Sequence, residues 1–258
     1  MKQITHSANL RARAWEAMKG TWPTVLALSY VINLVSSEMN QLVIGLPEPV
    51  SMILSFVITA AMMVPMLGVT KGMLGYFRGK PLGSDCVKGM LPYAWKVICF
   101  YFWELLCIMG WTALGMIPMI IAIPMLPFEM WSQGSETMAN IGVLLMLAGL
   151  VLMLVLAFRA VLNYSMANCI LVDDPDVGAR NALRKSKAMI RGYRWHYVKV
   201  GLPMLLVILA AVFIVGMLAA VLPGWLGTLL SAAVTAVSGM MSHYFLPVMY
   251  EELRRIGR

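Results

Sequence analysis

Six long runs of apolar residues divide the chain. They cover residues 22–44, 50–76, 97–126, 141–164, 197–222 and 225–247, and each is rich in Leu, Met, Val and Ala. A helix needs about 20 predominantly apolar residues to cross a hydrocarbon core of roughly 30 Å. Membrane strands would instead alternate polar and apolar residues, and this sequence lacks that pattern. The pattern predicts an all-α polytopic membrane protein in a single membrane domain over residues 1–258, with spans 1–2 in 22–76, spans 3–4 in 97–164 and spans 5–6 in 197–247.

A basic amphipathic segment precedes the first, third and fifth runs. These segments cover residues 1–21, 84–96 and 174–192, and each ends near Gly or Pro and a Trp. We expect three cytoplasmic interfacial helices with their apolar sides in the acyl boundary and their bases at the headgroups. In the third, Asp174 can cap a helix, Pro175 suits its first position, and Gly192 stops it. The chain is either a threefold repeat of amphipathic helix plus hairpin or a set of three unrelated linkers, followed by a cytoplasmic tail over 248–258.

Charge defines the orientation of these spans. The chain has 20 Lys and Arg against 12 Asp and Glu, a formal net charge of +8. The bases fall in the N-terminal arm, between the second and third runs, between the fourth and fifth runs, and at the C-terminal end. The positive-inside rule then predicts that both termini are cytoplasmic.

Composition restricts the class of partner. Apolar residues make up 60% of the chain and charged residues 12%, so an ordinary soluble domain is excluded. The bases adjoin predicted spans, which favours the lipid bilayer and its anionic phospholipid headgroups as partners and disfavours nucleic acid. The predicted contacts to lipid or to a partner protein are Arg11, Arg13, Lys19, Lys88, Arg184, Lys185, Lys187 and Arg191.

Three runs of residues resemble a known family. They are the run from Ala14 to Trp22, the run from Asp173 through Asp176 and Ala182 to Trp195, and the closing Tyr250-Glu251-Glu252-Leu253-Arg254. The chain is similar over almost its whole length to the bacterial integral membrane proteins grouped as domain of unknown function 975. The resemblance implies six spans and a bacterial cytoplasmic (inner) membrane. It implies no functional residues, because the family has no established activity.

Signatures of catalysis are missing from the sequence. It has no His-Glu-x-x-His zinc helix, no Gly-x-x-x-x-Gly-Lys phosphate loop and no Gly-x-Ser-x-Gly nucleophile elbow. The four cysteines show no paired metal-ligand spacing. We therefore predict no catalytic residue, no metal, no cofactor and no enzyme activity.

Ionisable residues inside the predicted spans are the better candidates for function, because each is costly in hydrocarbon. Glu104, Arg159 and His243 all fall at the predicted inner-leaflet level, and Asn163 lies near Arg159. The hypothesis is a polar cluster in which Glu104 pairs with Arg159 and the other two complete the site. The alternatives are simple neutralisation between helices, or an Arg159 side chain that reaches the headgroups.

A second candidate lies on the opposite face, where Glu38 and Glu48 lie among residues without bases. They predict an acidic mouth that attracts cations. The alternative is a solvated helix end whose lack of Lys and Arg follows from the positive-inside rule.

Two functions are compatible with these features. The first is a small transporter, or a lipid- or peptide-handling membrane protein. The second is a non-catalytic accessory or scaffolding subunit that docks a membrane-protein partner through its basic helices.

Overall fold

The computed structural model of the protein describes residues 7–83, 85–125, 136–219 and 224–257. All regular elements in these ranges are helical, which confirms the all-α prediction. Short 3-10 turns occupy Leu91–Tyr93, Ile123–Met125 and Pro175–Val177. The helices are α1 (Ser7–Val43), α2 (Glu48–Phe77), α3 (Asp85–Lys88), α4 (Ala94–Ala122), α5 (Glu136–Tyr164), α6 (Ala167–Asp173), α7 (Ala179–Met189), α8 (Arg194–Ala219) and α9 (Gly224–Gly257).

The chain forms two compact units, one of residues 1–101 and 166–258 and the other of residues 102–165. In the first unit α1, α2 and α9 pack against one another, and α8 packs on α1 and α9. Val25 of α1, Met73 of α2 and Tyr244 of α9 are almost fully buried. This three-helix core therefore fixes the positions of the side chains at the helix ends.

The predicted first interfacial helix is not a separate element. Residues 7–21 and the first apolar run form one continuous helix, α1, which passes through Pro23. At the expected boundary the Thr21 hydroxyl donates to Ala17 O at 2.8 Å and shares a second hydrogen bond of 2.8 Å with the Tyr244 hydroxyl. The predicted boundary near Gly20 and Trp22 is therefore not a break in the helix, and Thr21 at this point contacts α9. Residues 1–6 lie outside the described residues.

The second amphipathic segment is also divided differently from the prediction. Residues 85–96 form the four-residue α3, a 3-10 turn and the first turn of α4. Gly89 and Pro92 lie in the connection, and neither favours continuous helix. Ser84, one of the two expected caps, lies outside the described residues.

The third segment does contain a helix, α7. The Asp174 carboxylate accepts a hydrogen bond from Asp176 N at 3.3 Å, and Pro175 occupies the first position of the following 3-10 turn. Asp174 therefore caps this 3-10 turn, whereas α7, the helix that it was expected to cap, begins at Ala179 after Gly178. Gly192, at φ +92°, lies in the turn that leads away from α7.

The apolar face of α7 is used inside the protein. Ala182, Leu183 and Ser186 are buried, and Met166 N donates a hydrogen bond to Ser186 Oγ at 3.2 Å. The expectation that this face enters the acyl boundary is therefore wrong, because α6 covers it. The exposed side carries Arg184 and Lys185.

Four described helical runs are long and apolar enough to cross a membrane: Glu48–Phe77, Asp85–Met125, Asn140–Asp173 and Trp225–Ile256. A fifth results if the halves of α8, bent by 40° between Pro203 and Leu205, count as one span. Among the described helices α1 does not qualify, since charged residues fill its first half and polar residues its last part. Helices compatible with membrane insertion are present, but six spans are not confirmed.

The last helix extends into the predicted cytoplasmic tail. Residues 248–257 form the final turns of α9, and the cytoplasmic location of this segment stays a prediction. The charged residues after the sixth apolar run therefore lie on the same helix as that run.

The second unit is a close pairing of α4 and α5. A Cβ added to Gly115 would collide with the backbone of Met153, and one added to Gly149 would collide with Met119. Small residues allow two membrane helices to approach until their backbones are nearly in contact. Packing at these glycines therefore fixes the register between α4 and α5.

Gly115→Ala should destabilise the purified protein by about 1–3 kcal/mol, because the backbone of Met153 cannot move aside as a side chain would. Gly110→Ala in the same helix is the matched control, since a Cβ there meets nothing within 4 Å. It should leave stability unchanged or raise it by about 0.5–1 kcal/mol. Unfolding in detergent measures both, and equal stability of the two variants would contradict this packing.

Candidate functional site

A network of charged side chains joins three elements of the first unit. Arg78 directly follows α2, Asp173 ends α6, and Glu251 lies near the end of α9. Arg78 Nη1 donates to Asp173 Oδ1 at 2.5 Å, and Arg78 Nε donates to Glu251 Oε1 at 2.7 Å. One guanidinium therefore connects the ends of three helices, and we call this region the charged end.

Asp173 accepts further hydrogen bonds through its second oxygen. Tyr250 Oη donates to Asp173 Oδ2 at 3.0 Å, and Arg254 Nη1 donates to it at 2.7 Å. The side chain of Asp173 is only 15% exposed, so these charge-assisted bonds are partly protected from solvent. We refer to Arg78, Asp173, Tyr250, Glu251 and Arg254 as the Asp173 network.

The network keeps its arginine charged. Partial burial lowers the pKa of Arg78, but hydrogen bonds from its guanidinium to Asp173 and Glu251 outweigh that effect. The net result is a pKa above the ordinary arginine value. Arg78 is therefore a permanent cation at any physiological pH.

An open cleft of about 730 Å³ lies beside this network. Four arginines and two glutamates contribute to it, which gives its walls a formal charge of two positive. Two apolar side chains complete the lining. We call this site the arginine cleft, and it is lined by Arg13, Phe77, Arg78, Val248, Glu251, Glu252, Arg254 and Arg255.

Glu252 is the buried charge of the cleft. Its side chain is 2% exposed, and its carboxylate accepts a hydrogen bond from Arg255 at 2.8 Å. Arg13 of α1 lies 3.9 Å from its other oxygen and is half exposed. A buried carboxylate thus holds two arginines near the opening, and α1 contributes to the same site as α9.

The four residues of the predicted polar cluster belong to two different units of the structure. His243 is buried in the first unit, 3.1 Å from Thr70 Oγ1 through Nδ1. Glu104, Arg159 and Asn163 belong to the second unit, where Asn163 is buried and Arg159 exposed. The structure therefore gives His243 the partner Thr70, which the sequence did not suggest.

The described ion pairs do not include one between Glu104 and Arg159. Counted from the contact of Gly115 with Met153, Glu104 lies 11 residues along α4 and Arg159 six residues along α5. At 1.5 Å per residue the two Cα atoms differ in depth by roughly 7 Å. The pair stays a prediction, and long side chains would have to cover that offset.

The other predicted residues lie on the surface. Glu38 near the end of α1 and Glu48 at the start of α2 are both exposed, as the acidic mouth requires. The predicted lipid or partner contacts are exposed as well, namely Arg11, Arg13, Lys19, Lys88, Arg184, Lys185, Lys187 and Arg191. Of these eight, Arg13 alone lines the arginine cleft.

Sequence reasoning missed the Asp173 network. In the sequence, Arg78 is one of the bases between the second and third apolar runs, and Asp173 is only the first residue of a run that carries the family resemblance. One signal was present: Asp173 and the run Tyr250 to Arg254 both belong to the stretches that carry the family resemblance. Their pairing joins residues 77 to 81 positions apart, which a local pattern does not reveal.

These features define an all-helical protein with helices that could span a membrane and an arginine-lined cleft at their charged end. The chain belongs to the family described as Protein of unknown function (DUF975), whose model matches residues 1–252. No curated protein and no solved structure matches the chain.

Asp173→Asn should destabilise the protein by about 2 kcal/mol, because an amide cannot accept charge-assisted bonds at both atoms from Arg78, Tyr250 and Arg254. Asp85→Asn removes the same charge from a side chain that is 92% exposed and lies 3.8 Å from Lys88. This control should change stability little. Thermal unfolding in detergent compares them, and equal losses would show that the network does not stabilise the fold.

Proposed function

We propose that the chain is a multi-pass protein of the bacterial cytoplasmic membrane that binds phosphate-bearing lipid headgroups in the arginine cleft. The observation that carries this proposal is the cleft itself, in which four arginines surround a cavity of about 730 Å³. Guanidinium groups bind phosphate through paired N–H donors, which gives both affinity and orientation. Among the two functions suggested by the sequence, lipid handling is therefore the one favoured by this geometry.

The position of the cleft along the helices supports a lipid ligand over a soluble anion. Phe77 and Val248 line it, and they belong to the long apolar helices α2 and α9. A headgroup in the cleft would leave its acyl chains beside apolar helix surface. If the positive-inside prediction holds, this end faces the cytoplasm, at the headgroup level of the inner leaflet.

The exposed bases outside the cleft fit the same function. Arg11 and Lys19 are exposed on α1, and Arg184, Lys185 and Lys187 are exposed on α7. Basic side chains near a membrane surface attract anionic lipid by about 1 kcal/mol each. They would raise the local concentration of anionic lipid, whereas the cleft would select the headgroup. Transport of that lipid, or of a peptide, is the wider form of the proposal.

A second candidate is the accessory subunit, and the surface of α7 favours it. Its buried side packs on α6, and its exposed side carries the three bases Arg184, Lys185 and Lys187. Such a surface fits an acidic segment of a membrane-protein partner.

Arg13→Gln should lower the affinity for phosphatidylglycerol about tenfold, as expected for the loss of one charge-assisted contact. The full chain is purified in mild detergent and titrated with this lipid, and native mass spectrometry counts the lipid that remains bound. Within the described part of the chain, the charged partner of Arg13 is Glu252 at 3.9 Å, so replacement of Arg13 should leave the fold intact.

Arg11→Gln is the matched control, because it removes the same charge from an exposed position two residues away, outside the cleft. In detergent no membrane surface concentrates anionic lipid at exposed bases, so this variant should retain the parent affinity. Equal binding by the two variants and the parent would contradict the cleft as the lipid site. A stoichiometric second protein that co-purifies with all three would then favour the accessory role.

A further inference from the structure

The arginine cleft offers hydrogen-bond donors that the protein does not use. The side chain of Arg13 has no hydrogen bond to the residues that the structure describes. Its nearest carboxylate oxygen, on Glu252, is 3.9 Å away. Arg254 donates through Nη1 to Asp173, and its Nε and Nη2 have no described partner. Two guanidinium groups on the cleft wall are therefore available to an anion.

The same cleft also offers an acceptor. Glu251 Oε1 accepts a hydrogen bond from Arg78 Nε at 2.7 Å and lies 2.6 Å from Arg78 Nη2 in the same ion pair. Glu251 Oε2 has no partner within the described part of the chain, and the side chain is 27% exposed. A carboxylate has about four lone-pair sites, so this second oxygen can accept one or two further bonds.

Because the cleft wall carries free donors and a free acceptor, it restricts the class of ligand that can bind. A phosphate held by Arg13 and Arg254 brings negative charge into a cleft that also contains Glu251 and the buried Glu252. A like charge nearby is unfavourable, and a hydrogen bond from a donor on the ligand to the free carboxylate oxygen offsets that cost. The ligand should therefore carry a hydrogen-bond donor in addition to its phosphate.

We infer that the arginine cleft selects phosphodiester headgroups bearing an ammonium or hydroxyl donor, with the phosphate at Arg13 and Arg254 and the donor at Glu251 Oε2. This inference rests on the proposed lipid-binding function and names the class of headgroup. Phosphatidylethanolamine supplies an ammonium and phosphatidylglycerol supplies hydroxyls. Phosphatidylcholine has the same phosphodiester but no donor, so it should bind weakly.

The test is competition among these three lipids for the full chain in detergent, supplied in equal amounts. Native mass spectrometry should show phosphatidylethanolamine, phosphatidylglycerol or both retained about tenfold over phosphatidylcholine, the effect of one hydrogen bond to a charged group. A preference for the first identifies an ammonium ligand, and a preference for the second identifies a hydroxyl ligand. Equal retention of phosphatidylcholine would overturn the inference without the need for any variant.

Glu251→Gln tests the residue assigned to this selection. The amide oxygen can still accept from Arg78, which leaves an NH₂ donor on the side now occupied by Oε2. The preference over phosphatidylcholine should fall to about twofold or less, while phosphatidylcholine binding persists. Glu16→Gln removes the same charge from an exposed position of α1 outside the cleft and should keep the tenfold preference.

The two proposals fail in different ways. A preference that Glu251→Gln does not alter would overturn the inference, even if Arg13→Gln still weakens binding of every lipid. Binding that is insensitive to Arg13→Gln would overturn the lipid site itself. A melting curve of Glu251→Gln shows whether its Arg78 contact has kept the helix ends together.

Discussion

The hydrogen bonds to the carboxylate of Asp173 are the interaction on which the charged end depends. It accepts hydrogen bonds from Arg78, Tyr250 and Arg254, and these donors come from the end of α2 and the last turns of α9. Its side chain is 15% exposed, which strengthens each bond relative to one in water. Without this acceptor, the helix ends would carry arginines that repel one another across a partly desolvated space.

The arginine cleft follows from that arrangement. Because α9 continues as a helix beyond its apolar part, Glu251 and Glu252 are neighbours on a rigid element next to Arg78 and Arg13. Glu251 belongs both to the network and to the cleft wall, so the groups that hold the helices together also shape the site. The basic residues at this end therefore have two roles. Some, such as Arg78, hold the helix ends together, and others, such as Arg13, keep hydrogen-bond donors available to a ligand.

Local patterns predicted much of the fold, because apolar runs and helix caps depend on neighbouring residues. The cap of Asp174 on Asp176 N is an example. The boundary at Gly20 was wrong because the bond of Thr21 to Tyr244 joins positions 223 residues apart. The network was missed for the same reason, since Arg78 meets Glu251 across 173 residues. Charge and periodicity identify which residues are basic, but only tertiary packing decides which arginine keeps its donors free.

The most direct measurement is the distance between lipid phosphorus and arginine side-chain nitrogen, by solid-state NMR of the ¹⁵N-arginine protein in phosphatidylglycerol bilayers. The account predicts a phosphorus within hydrogen-bonding range of the Arg13 guanidinium, whose signal is the one that disappears in Arg13→Gln and remains in Arg11→Gln. A set of arginine–phosphorus contacts that is identical in the parent and in Arg13→Gln would contradict the arginine cleft as the lipid site.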